Sequence, residues 1–139
     1  MGVKRRGHKI PIEYWIKVGK KELERAINAF KRNDYPDSVF HSQQAVEKMV
    51  KAFLEANRII VRDHYVAHKL EKFPDLGDVK DCAIWFEMDK KWESSRYPIE
   101  VNEKILSPED VFTKNIAKEA LKKAKFVCEK ISGIFERGW

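Results

Sequence analysis

The sequence predicts an all-α protein, an antiparallel up-and-down bundle of four to five helices, on three observations. Apolar residues recur at spacings of three and four over most of the chain. The few Pro and Gly residues punctuate that pattern rather than pervade it, and no pair of alternating segments gives a β-hairpin signal. A length of 139 residues, 43% of them hydrophobic and 36% charged, is enough for one domain with a core of its own.

The first helix is expected over about 12–32, where Ile12, Trp15, Ile16, Leu23, Ala26, Ile27 and Phe30 form one apolar stripe. It stops near Asn33. Asp34 then caps a second helix, with Pro36 and Asp37 in its first turn, running to about Asn57. Val39, Ser42, Val46, Met49, Val50 and Phe53 give that helix its core face. The stretch NRIIVRDHY breaks the period, a short helix follows over roughly 64–73, and Pro74, Asp75 and Gly77 make a turn.

A fourth helix is expected over about 78–94, carrying Val79, Cys82, Trp85, Phe86 and Trp92, with Ile84 and Met88 widening its apolar surface. The Trp85, Phe86 and Trp92 group reads as core and subunit contact rather than as a platform for stacking bases. SSRYPIEVNEKILSPED then reads as a long loop. Ser107-Pro108-Glu109-Asp110 starts the last helix, with Ser as cap and Pro at the first helical position. Its stripe runs from Ala117 through Ala120, Leu121, Ala124, Val127, Cys128 and Ile131 to Phe135.

The formal net charge of +6 is concentrated at the start of the chain. Residues 1–9 hold Lys4, Arg5, Arg6 and Lys9 and no acid, so the other 130 residues carry 24 bases against 22 acids, a balance of +2. We therefore read residues 1–11 as a basic N-terminal arm and 12–139 as a single helical domain. No apolar run is long enough to cross a bilayer or follows the basic start as an export signal would require, so the expectation is a cytoplasmic protein without membrane contact. Cys82 and Cys128 read as two buried thiols, with a bridge between them as the alternative. Neither points to catalysis.

Two stretches carry the candidate chemistry. On the second helix, with the core face centred near Val46 and Phe53, Gln44, Lys48 and Lys51 are expected on the opposite side, and Phe40 and Glu47 on a flank. The lysines would meet phosphates or an acidic partner, or else Glu47 and Lys51 would simply pair on a solvated face. In the loop, Arg96-Tyr97-Pro98 offers a guanidinium that can grip phosphate and a phenol that can stack on a base. His64 and His68 stand four apart, but two ligands are too few for a metal, and no cofactor is expected. There is no Gly-rich phosphate loop and no acidic cluster for two metals.

The order of these pieces, a first helix, a turn, QQAVEKMVKAFLEA, HYVAHKL, then RYP before a capped last helix, resembles the HEPN domain family over nearly the whole chain beyond the arm. The resemblance implies a compact helical bundle, often dimeric, that works with nucleotides or RNA, similar to the helical half of the kanamycin nucleotidyltransferases. It implies a homodimer and a separately encoded small nucleotidyltransferase as partners. Nucleotide or phosphate contacts are expected at Lys48, Lys51, Arg96 and Tyr97, with Gln44 and His68 beside them.

Family members that cleave RNA carry a His separated from the Arg by four to six intervening residues. Here Val101, Asn102 and Glu103 occupy those positions. Cleavage through the 2′-hydroxyl needs a group that moves a proton near neutral pH, which His supplies and these residues do not. The expectation is thus a non-catalytic nucleotide- or RNA-binding protein. The alternatives are a ribonuclease toxin with a rearranged site, in which His41, His64 or His68 approaches Arg96 from a second subunit, and a purely structural dimer module.

Overall fold

The computed structural model describes residues 11–138, so the basic arm, apart from Pro11, lies outside the described residues. Helix α1 (Ile12–Lys31) and helix α2 (Tyr35–Ala56) form an antiparallel pair, as their apolar stripes predict. Both end in the same way. Asn33 and Arg58 take left-handed φ of 64° just past the helices, and the following amides reach back, Asp34 N–H to the Ala29 carbonyl and Ile59 N–H to that of Leu54. Asp34 caps α2 by accepting from the Asp37 amide at 3.3 Å.

The segment after α2 is more broken than the sequence suggests. In place of the helix expected over 64–73 are two 3₁₀ turns, Ala67–Lys72 and Pro74–Leu76. The helix expected over 78–94 splits into α3 (Gly77–Glu87), a 3₁₀ turn (Met88–Lys90) and α4 (Lys91–Ser94). The split falls at Asp89 and Lys90, both left-handed, at φ 60° and 45°. The long loop also holds a hairpin that the sequence reading missed. Strand β1 (Ile99–Val101) pairs antiparallel with β2 (Lys104–Leu106), Ile99 opposite Leu106. Asn102 and Glu103 turn it with φ of 51° and 64°, the mirror-image two-residue turn that matches strand twist.

Ser107 starts α5 (Pro108–Val111) with a full capping box, its Oγ accepting from the Asp110 amide while Asp110 accepts from the Ser107 amide. The last helix expected from Ser107 is broken in two: after the one turn of α5 the chain passes through buried Phe112 and extended Thr113 before α6 (Lys114–Glu136) begins. Arg32–Pro36 and Phe112–Lys114 line one cavity, while Phe53 shares another with Lys130, Ile134 and Arg137. Helix α6 therefore runs parallel to α2 and antiparallel to α1, because the short elements between them carry the chain back to its starting end.

Helix α2 is the centre of the molecule and touches α1, α3, α4, α5 and α6. Val39, Val46, Met49, Val50 and Leu54 from α2 meet Val79 and Phe86 from α3 and the alanines of α6 in one core. Each large side chain buried there contributes roughly 1.5–3 kcal/mol. Gly19 lets α1 come close, since a Cβ at that position would stand 2.7 Å from Met49 Sδ. Cys82 and Cys128 are free, buried thiols, so the bridge considered above is not formed. Among the described residues no helix is long and apolar enough to cross a membrane.

Candidate functional site

A helix packed on every side has no solvated face, and this corrects the expected position of the α2 lysines. Gln43, Glu47, Lys51 and Glu55, one turn apart, are all buried. Lys51, only 7% exposed, points inward and donates to Glu47 Oε2 at 3.0 Å. Lys48 donates to the same oxygen at 3.3 Å, His64 Nδ1 lies 2.7 Å from Oε1, and Gln43 donates to Oε1 at 2.9 Å. The two ammonium groups also sit 5.6 and 5.5 Å from the Trp15 ring, whose N–H donates to Glu55.

Burial alone would raise the Glu47 carboxyl. The charge of Lys48, the His64 hydrogen bond, the charge of Lys51 and the Gln43 hydrogen bond outweigh it and hold the group at about 2. The cluster thus balances itself. Gln44 is also engaged, donating to Gln43 Oε1 at 2.6 Å. Lys51 is enclosed, and Lys48 is half-committed to Glu47.

One to two turns nearer the start of α2 lies a second network, built on Asp37. Arg32 donates to Asp37 Oδ2 at 2.7 Å, while Arg96 Nη1 stands 3.5 Å and His41 Nε2 3.4 Å from Oδ1. The other His41 nitrogen, Nδ1, is 2.7 Å from Glu22 Oε2. Burial of Glu22 is outweighed by its hydrogen bonds from His41 and Arg25, so its pKa falls below the usual carboxylate value. The guanidinium of Arg96 lies 3.7 Å from the centroid of the Phe40 ring, with 42% of the side chain still open. Tyr97 beside it is 63% exposed.

The six expected contact residues are therefore not brought together. Arg96, over Phe40, and Tyr97, the next residue, are both accessible, where a guanidinium and a phenol can meet a phosphate. Lys48, Lys51 and Gln44 belong to the internal Glu47 cluster. His68 lies apart, exposed on the 3₁₀ turn and near Glu87. Glu87 is raised by burial against the backbone donors Ala67 and Val66 and the charge of His68. The sequence reading missed Asp37 and Glu22 as partners. Their signal was present, since Asp37 and His41 stand four apart on α2. Among the described residues no group of three or more His, Cys, Asp or Glu is placed to hold a metal ion.

Residues 12–134 match the HEPN domain. The chain belongs to the HEPN domain family. A similar protein from Methanocaldococcus jannaschii, named "Putative toxin MJ1304", is 37% identical over 128 residues, covering 84% of this chain and 83% of the relative. Among solved structures, ST0689, described as an archaeal HEPN homologue, superposes with a TM-score of 0.72 at 32% identity, over 90% of this chain and 98% of its own. TT1696 from Thermus thermophilus gives 0.73 at 22% identity, over 88% and 96%, a likeness of fold. The resemblance read from the sequence thus names the right family, and this HEPN chain keeps its all-helical architecture with one small hairpin added.

Proposed function

We propose that this chain is the HEPN component of a toxin–antitoxin-like pair. It binds a nucleotide or RNA phosphate without cutting it, and works with a separately encoded small nucleotidyltransferase. The observation that carries this reading is Arg96 stacked on Phe40, half-open to solvent, with exposed Tyr97 as its neighbour. A guanidinium held over a ring in this way, with Nη1 toward Asp37, keeps its remaining N–H groups for a phosphate, and the phenol offers a face to a base. The name of the Methanocaldococcus relative supports the toxin–antitoxin setting. The exposed Val101 and Ile105 of the hairpin support a homodimer that covers them.

A second reading, a ribonuclease toxin, is favoured by one observation: His41 and Arg96 reach the same Asp37 oxygen within a single chain. Against it, each ring nitrogen of His41 already faces a carboxylate, so neither is left open to take a proton from a 2′-hydroxyl.

The deciding experiment titrates the full-length protein with ATP and with a short single-stranded RNA under chelator. We expect binding of one or both, weakened several-fold in Arg96→Ala and Tyr97→Ala, with the RNA intact. Unaltered binding in Arg96→Ala removes the site. Cleavage lost in both Arg96→Ala and His41→Ala establishes the ribonuclease reading instead.

A further inference from the structure

The kink between α3 and α4 opens a cavity of about 480 Å³ walled by Trp85, Met88, Ile99, Val111, Phe112 and Ile116. That volume is within the range of roughly 300–1,000 Å³ typical of small-molecule sites. Its walls are mostly apolar, and Asp89, Lys91 and Ser94 are the polar residues among them. Lys91 lines the cavity and is only 8% exposed, yet it carries an ammonium group. Its Nζ donates to the carbonyls of Trp85 at 2.8 Å and Met88 at 3.1 Å, and stands 4.3 Å from the Trp85 ring centroid.

We propose that this cavity is a binding site for a small amphipathic carboxylate, its acyl or aromatic body against the apolar walls and its anion on Lys91 Nζ. Two of the three ammonium donors are committed to carbonyls, and the third, which has only the Trp85 ring beside it, can turn to a ligand carboxylate. The carbonyls supply partial charge only, and among the described residues Asp89 is the one carboxylate acting on the group, with no hydrogen bond or ion pair to it, so a ligand anion on Nζ would offset more of the cost of enclosing a cation. Burial accordingly lowers the Lys91 pKa, with Asp89, on the cavity rim, opposing that shift. The backbone gives an independent mark. Asp89 and Lys90 are successive left-handed residues with side chains, a conformation disfavoured by their Cβ atoms and concentrated at ligand clamps and active sites. The site is separate from the Arg96 corner and does not depend on the function proposed above.

The experiment titrates the full-length protein with octanoate and with 1-octanol, following heat and melting temperature. Octanoate saturates at one per chain and raises the melting temperature, and octanol binds about tenfold more weakly. Lys91→Met removes that preference. Met88→Glu, which places a like charge on the exposed rim without disturbing the core, weakens octanoate by about tenfold or more. Octanoate that does not saturate, acid and alcohol that bind equally, or binding unchanged in Met88→Glu each overturns the proposal. Should Lys91→Met fail to fold, the acid–alcohol pair and Met88→Glu still decide it.

Discussion

His41 and Arg96 meet on one carboxylate oxygen, Asp37 Oδ1, at 3.4 and 3.5 Å. The contact ties a connecting loop to the central helix through an Arg96 side chain that is 42% open, and an ion pair with one partner so exposed contributes about 0–1 kcal/mol. Arg96→Ala should therefore leave the melting temperature within a few degrees of the parent. It should weaken phosphate-ligand binding by about threefold to tenfold. Thermal melts and titrations on one preparation check both halves; a large loss of stability would make Arg96 a structural residue.

Glu47 sets the acid limit of the fold. Its carboxyl titrates at about 2 in the folded chain against an ordinary 4.5, so the stabilisation it gives is complete above pH 4.5 and disappears as pH falls toward 2. A depression of that size corresponds to about 3 kcal/mol. Denaturant melts between pH 7 and pH 2.5 should show that loss. Glu47→Gln should be less stable at pH 7 and decline less steeply across the same window, keeping the share that Glu22 contributes, and a parallel decline in both proteins would assign the acid sensitivity elsewhere.

Two glycines inside helices should respond to alanine with opposite signs. At Gly19 a Cβ would meet Met49 Sδ at 2.7 Å and Cγ at 2.8 Å, within a fully packed core, so Gly19→Ala should cost about 1–3 kcal/mol. At Gly133 the nearest atom is Arg137 Nη1 at 3.2 Å, the end of an exposed side chain that can swing away. Gly133→Ala should stabilise by about 0.5–1 kcal/mol through helix propensity. Chemical melts of the two variants settle the signs.

Both thiols should be inert in the folded protein. Burial pushes Cys128 up to about 12 and raises Cys82 as well, so little thiolate exists near neutral pH. A disulfide reagent should report no fast-reacting thiol before denaturant and two after it. One fast thiol in the native protein would show that the core opens around that helix.

Much of this architecture was legible in the residues. The stripes of α1, α2 and α6, the Asp34 cap and the Ser107 start all follow from local pattern, because each depends on neighbours three or four positions away. The break at Asp89-Lys90 was not legible, since neither residue is a breaker and the bonds across it, Lys91 Nζ to the Trp85 and Met88 carbonyls, come from a side chain that reads as an ordinary surface lysine. The hairpin escaped for a related reason: its turn uses Asn102-Glu103, where Glu103 stands in the position glycine usually announces. The position of Lys51 could not be read from a one-face helical wheel. A fully surrounded α2 follows only from assembly, although Gln43, Glu47, Lys51 and Glu55 at four-residue intervals were the cue.

The shared direction of α2 and α6 reaches beyond packing. Their peptide dipoles add, so the molecule has a positive pole where both helices begin and a negative pole where both finish. Asp34 and Asp37 stand at the start of α2, whereas α6 opens on Lys114 with no acid in its first turn, and neither helix carries a base in its last turn. Asp34 and Asp37 are thus the counterweights to the backbone, and they act at the start of α2 alone. Reversing one of them would unbalance that end of the helix rather than a single contact, and it would be felt most at low ionic strength.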